Sequence, residues 1–338
     1  MAVPVHLVGS IGLDTVPEVF AAVGSALGPC LRRVPDGEPG GRRLWISFQY
    51  PLLRANPFLQ AEPKSTAEGI FPQMRIADDV APESIRFGEL NYAREARTSY
   101  EDFKRARDRG VLPRGVRFQV CLPTPFAVIR PFCTFQSAPQ IEPAYEAAML
   151  REVANICGEI PHADLAIQWD VCIEMVMWDG HHPRLRALPD MENEFAQRFR
   201  RLSGVVPNGV ELGFHLCYGD LDGKHFVEPQ DTGKMVELAN LIIESAGRPV
   251  AFMHMPVPVS RDDEAFFAPL AGLKLGAGTE LYLGLVHAAD GIAGTKRRMA
   301  AARKFAPEFG IATECGMARA RTPDVVQDLI RVHAGAAL

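Results

Sequence analysis

The chain has 338 residues, of which 47% are hydrophobic and 23% charged, and its formal net charge is −5. Charge this mild and this evenly spread argues against nucleic acid as a partner, and no run approaches the roughly 18–20 uninterrupted apolar residues of a membrane span. The N-terminus carries no basic region before its first apolar run, unlike a secretory leader. Seven cysteines, an odd and scattered set, fit reduced thiols in a cytoplasm better than a disulfide framework.

Residues 5–8 predict a first strand that ends in Gly9-Ser10-Ile11-Gly12. Helical spacing follows over 16–27, with Pro17 in the first turn, where proline is tolerated. The segment 33–45 holds Pro35-Asp36-Gly37-Glu38-Pro39-Gly40-Gly41 and Arg42-Arg43. It is too rich in Gly and Pro for regular structure and too charged for burial, so it predicts a long loop of the functional kind. Residues 50–82 predict irregular structure.

Residues 84–90 read as a second, weak strand, and 92–109 as a helix ending at Gly110. Period-2 alternation over 116–122 with a proline stop predicts the third strand. A helix over 143–159 and a strand over 164–172 follow, then a polar loop with His181-His182 and a helix over 191–202. Further strands are expected near 209, 249, 280 and 309, with helices over 231–246, 295–305 and 323–333.

Eight strands that mostly alternate with helices imply a parallel sheet, and in this length an α/β fold of the single (β/α)8 TIM-barrel kind. Residues 1–338 then form one domain with an irregular insertion at about 33–82. An open doubly wound sheet is the competing architecture. It usually carries a Gly-rich phosphate turn after its first strand, and Gly9-Ser10-Ile11-Gly12 is not that fingerprint.

Barrel chemistry lies at the carboxyl ends of the strands. Those ends supply Ser10, Glu89, Thr124, Asp170, His215 with Cys217, His254, His287 with Asp290, and Glu314 with Cys315. Residues i and i+2 of a strand share a face, so His215 and Cys217 project together. With Cys315 they offer three of the N and S ligands that zinc favours, and His254 is the natural fourth. The plain alternative is that both cysteines are small buried residues and the histidines satisfied polar groups. The other five cysteines lack this context and read as structural. Asp170 can hold a substrate ammonium, transfer a proton, or cap a helix. His287 can shuttle a proton or simply pack. Asp36, Glu38 and Arg42 can bind substrate from their loop, or form a solvated turn.

The ordered set Val8-Gly9-Ser10, Ile167-Gln168-Trp169-Asp170, His215-Leu216-Cys217-Tyr218, Val286-His287 and Glu314-Cys315-Gly316-Met317-Ala318-Arg319 resembles the cobalamin-independent methionine synthase family. That family lies within the uroporphyrinogen decarboxylase/methionine synthase-like barrels. The resemblance implies that His215, Cys217 and Cys315 hold Zn²⁺, which binds the acceptor thiol as thiolate. It also implies that Ser10 and Asp170 touch the acceptor and that His287 relays protons. The family's acidic zinc ligand falls where this chain has His254, and its Asp-Glu-Pro is here Asp170-Val171-Cys172. The chain matches only the catalytic half of the double-barrel enzyme.

The activity implied is a methyltransferase, or more broadly alkyl transfer to a small-molecule thiol from a methyl-folate, a methyl-corrinoid protein or another alkyl compound. Two other readings stay open. One is a metal-free lyase or decarboxylase with Arg42 and Arg43 facing substrate carboxylates. The other is a non-catalytic zinc or thiol-binding protein with a closed four-ligand site.

Overall fold

The computed structural model describes residues 2–63, 71–183, 185, 187–221 and 223–338. Residues 64–70, within the segment expected to be irregular, lie outside the described residues. Seven strands pair in parallel and in chain order: β1 (Arg33–Pro35), β2 (Arg117–Pro123), β3 (Leu165–Val171), β4 (Glu211–Leu216), β5 (Phe252–Pro256), β6 (Glu280–Val286) and β7 (Gly310–Thr313). The sheet is curled. Val5 forms parallel bridges to both Leu31, just before β1, and Ile311 of β7. Among the described residues, no helix is long and apolar enough to cross a membrane.

Parallel strands need crossovers, and helices supply most of them. The principal ones are α1 (Val16–Leu27), α2 (Tyr92–Asp108), α3 (Pro125–Phe132), α4 (Ala138–Glu159), α5 (Ile173–Asp179), α6 (Met191–Gly204), α7 (Gly233–Ser245), α8 (Gly291–Ala302) and α9 (Pro323–Ala337). α1 begins at a capping box, in which Thr15 Oγ1 accepts from the Glu18 amide and the Glu18 carboxylate accepts from the Thr15 amide. Strands covered on both faces read as continuous apolar runs rather than alternations. β3 is the clearest case, buried at every position.

Three strand expectations are corrected, the first being residues 5–8, which form no strand: only Val5 among them makes isolated bridges. Residues 84–90 form no strand. Ser84 closes a 3-10 turn and Ile85 is extended, but several backbone polar groups of the segment are satisfied by side chains instead of a neighbouring strand. Gln49, Asn56 and Arg151 donate to the carbonyls of Leu90, Arg86 and Phe87, and the Leu90 amide donates to Glu152. The place next to β2 is taken by Arg33-Val34-Pro35, inside the segment expected to be loop.

Arg33 can be buried there because its charge is met. It pairs with Glu211 of β4 and, at 2.7 Å, with Glu280 of β6, and its guanidinium lies 4.3 Å from the Phe252 ring centroid. The segment 50–82 is also less irregular than expected, with a helix at Tyr50–Ala55 and an antiparallel pair, Leu59–Ala61 with Met74–Ile76. Two short helices that local sequence pattern does not predict, α3 and α5, directly follow the ends of β2 and β3.

Candidate metal centre

Strand register brings the chemistry together. Asp170 of β3 stands opposite His215 of β4, and His215 opposite His254 of β5. The chain continues past β4 to Cys217, whose amide donates to the Val171 carbonyl at 3.0 Å. Cys315 arrives just beyond β7, its Sγ 3.6 Å from that of Cys217. The ligating atoms of His215, Cys217 and Cys315 all lie within 4.8 Å of one another. They line a cleft of ≈ 560 Å³ at the carboxyl ends of the strands, together with Ser10, Glu38 and Asp170.

His254 does not join the three as a fourth donor. Its Nε2 lies 3.0 Å from the Thr313 carbonyl oxygen and its Nδ1 lies 2.7 Å from Nδ1 of His215. Burial pushes His254 down to about 3, so the ring is neutral. A carbonyl can only accept, so the His254 proton sits on Nε2 and its Nδ1 is the acceptor. The Nδ1 of His215 must then donate. That leaves a lone pair on His215 Nε2, which is buried without a hydrogen-bond partner among the described residues. Burial, reinforced by His254, holds His215 well below its ordinary value. The neighbouring Cys172 thiol, opposed by Cys315 and reinforced by burial, pushes the Cys217 thiol up. Contact with Cys217, then burial, does the same to Cys315.

The acidic wall is built by two segments. Gln168 Nε2 donates to Asp170 at 2.9 Å, and burial raises Asp170 to about 7. Burial, then the proximity of Asp170, raises Glu38 to about 8. Glu38 sits in the left-handed region, φ 52°, at the tip of the turn after β1. Its amide is held by the Asp36 carboxylate at 3.0 Å. Asp36 in turn accepts from Arg42 and Ser99, each at 2.7 Å. Of the three loop residues expected to bind substrate, only Glu38 faces the cleft. Asp36 and Arg42 pair behind it and brace the turn.

Ser10 is seated against the segment carrying Cys315. Its carbonyl accepts from the Met317 amide at 2.6 Å, and a Cβ on Gly316 would lie 2.2 Å from its hydroxyl oxygen. Only glycine lets the two segments approach this closely.

His287 stands apart from the cleft. Its Nε2 donates to the Val257 carbonyl at 2.9 Å, and its Nδ1 lies 3.9 Å from Glu314 Oε1. Burial, then Arg298, pushes it down to about 4. Asp290 is spent on the fully buried Arg298, with two contacts of 2.7 Å. His181 is paired with Asp179. Arg43, named in the sequence only for the lyase reading, lines the cleft; sequence reasoning assigned no role to Trp45 or Arg319, which also line it, and it set Cys172 aside although that residue lines the cleft too. The one sequence signal for Cys172 is its position two residues after Asp170 at a strand end.

No model of a known protein family matches the chain, and no curated protein matches it in sequence. Solved structures do match in fold. A B12-independent methionine synthase from Shewanella sp. W3-18-1, in complex with selenomethionine, superposes with a TM-score of 0.65 at 12% identity. The match covers 100% of this chain and 97% of that one. A putative vitamin-B12 independent methionine synthase from Listeria monocytogenes gives a TM-score of 0.56 at 12% identity, over 99% and 98% of the two chains. At this identity the likeness shows a shared fold.

Proposed function

We propose that this chain is a zinc-dependent enzyme that transfers a methyl or other alkyl group to a small-molecule thiol in the cytoplasm. The observation that carries the reading is the Nε2 of His215, buried and without a hydrogen-bond partner among the described residues, beside the thiols of Cys217 and Cys315. One imidazole lone pair and two sulfurs are the donor set that zinc takes in sites that keep a position open. His215, Cys217 and Cys315 would hold the ion. When bound, it would favour the thiolate form of an incoming thiol at neutral pH.

The remaining roles follow from the chain's own groups. Asp170 and Glu38 retain a proton between them near neutrality and give it up to hold a substrate ammonium. Ser10 offers a hydroxyl to the acceptor at the cleft wall. The leaving group of the alkyl donor departs with a proton, which Asp170 or His287 would supply. His254 fixes the tautomer of His215. The alkyl donor is a methyl-folate, a methyl-corrinoid protein or another alkyl compound.

In the same reading, residues 1–338 form one catalytic domain, and the segment around Val5 supplies the eighth strand that closes a (β/α)8 barrel. The two bridges of Val5 support that closure. A second reading, a metal-free lyase acting on a carboxylate substrate, is favoured by Arg43 and Arg319 lining the cleft.

Zinc X-ray absorption with and without candidate thiols separates them. The proposed function expects one additional Zn–S ligand when the acceptor is added. Full activity after both Cys217→Ser and Cys315→Ser would overturn it in favour of the lyase.

A further inference from the structure

We propose that Gln168 is a positioning residue of the cleft: its buried amide, oriented by His6, fixes the carboxyl of Asp170 for the ammonium group of the substrate. The inference rests on the ammonium role given to Asp170 above and concerns what holds that carboxyl in place. Ala166, Gln168 and Asp170 alternate along β3, so their side chains share one face. Ala166 packs there with Phe252 and Tyr282 in an apolar cluster separate from the main core. Gln168 comes next and has no exposed surface, and Asp170 follows at the cleft.

Barrel interiors are usually filled by branched apolar side chains. A buried amide is costly there unless its hydrogen bonds are made. Both ends of Gln168 are bonded. Its Nε2 donates to the Val8 carbonyl at 2.5 Å and to Asp170 Oδ1 at 2.9 Å. Its Oε1 accepts from Gln119 Nε2 at 3.2 Å and lies 2.9 Å from Nε2 of His6. The Val8 carbonyl can only accept, so the amide nitrogen must face it and the amide oxygen must face His6. His6 therefore carries a proton on Nε2. Gln119 is anchored in turn on the Leu7 carbonyl at 3.0 Å. The two glutamines thus serve the Leu7 and Val8 carbonyls in place of a strand ladder. Turning the Gln168 amide over would set its oxygen against the Val8 carbonyl and the Asp170 carboxyl, so its donor stays aimed at Asp170.

The test compares 2-aminoethanethiol with ethanethiol by calorimetric titration of the zinc-loaded protein. The wild type is expected to bind the amino thiol at least about tenfold more tightly. Gln168→Met keeps the length of the side chain without its amide and is expected to lower that ratio to about threefold or less. Zinc retention against a competing chelator stays at the wild-type level, which a general loosening of the fold would not allow. In an Asp170→Asn background Gln168→Met lowers the ratio no further, because the two residues act as one. His6→Phe reproduces the loss, whereas His6→Gln, which can still donate to the amide oxygen, keeps the preference. Imidazole nitrogen NMR of the wild type, which needs no thiol, is expected to show His6 protonated at Nε2. A wild-type ratio in Gln168→Met, or a His6 protonated at Nδ1, overturns this assignment and leaves the proposed function standing. Equal affinity of the wild type for the two thiols removes the ammonium role and this assignment with it. A wild-type protein that binds no zinc overturns the proposed function itself.

Discussion

Nδ1 of His215 lies 2.7 Å from Nδ1 of His254, whose Nε2 faces the Thr313 carbonyl at 3.0 Å. A single backbone oxygen therefore sets the protonation of two rings in sequence and turns a lone pair of His215 toward the thiols. Partners of this kind orient metal-binding imidazoles and raise their basicity. His254→Phe removes the acceptor while keeping an aromatic ring in the same space. The expected outcome is a zinc affinity about 10–100-fold weaker, measured by chelator competition. Unchanged affinity would mean that His215 needs no such partner.

The paired carboxyls make a claim about substrate. Asp170 at about 7 and Glu38 at about 8 keep protons that a cationic group would displace. A thiol carrying an amino group should bind at least about tenfold more tightly than the same thiol without it. That preference should disappear in Asp170→Asn and in Glu38→Gln. Calorimetric titration of the zinc-loaded protein reads it directly, and equal affinities in the wild type would remove the ammonium site from the account.

Asp290 looked like chemistry in the sequence and is structure in the fold. It pairs with Arg298, which has no exposed surface. Asp290→Ala strands a buried guanidinium, so denaturant unfolding should show a loss of about 3 kcal/mol or more. Zinc content per folded molecule should not change. A loss below about 1 kcal/mol would show that water or backbone carbonyls satisfy Arg298 without its partner.

His333 on α9 makes acid stability testable far from the cleft. Burial pushes it from 6.5 down to about 4, and its Nδ1 lies 2.8 Å from the Leu329 carbonyl. As pH falls, the unfolded chain takes up this proton before the folded one. The contribution is therefore complete above about pH 6.5 and is lost as pH falls through about 4, on the order of 3 kcal/mol in all. His333→Gln should flatten this part of the stability curve. A wild-type curve and a variant curve of equal slope between those pH values would contradict the assignment.

What was legible in the sequence was what depends on local pattern. β2 to β7 announce themselves as apolar or alternating runs, and the i, i+2 spacing of His215 and Cys217 already predicts a shared face. β1 was illegible because Arg33 is a strand residue only when Glu211 and Glu280, far along the chain, neutralise it. Residues 84–90 misled for the opposite reason. Ile85, Phe87 and Leu90 are buried as in a strand, but the backbone between them bonds to side chains. At the site, no local pattern tells a candidate metal ligand from its orienting partner. His254 occupies a strand end like His215, and only the Thr313 carbonyl separates their roles.

The central claim, a zinc site made by His215, Cys217 and Cys315, is tested most directly by metal analysis of protein purified without added metal or chelator. The account predicts about one zinc per chain in the wild type and a marked loss in Cys217→Ser and in Cys315→Ser. A wild-type protein that is free of metal and fully active would contradict it.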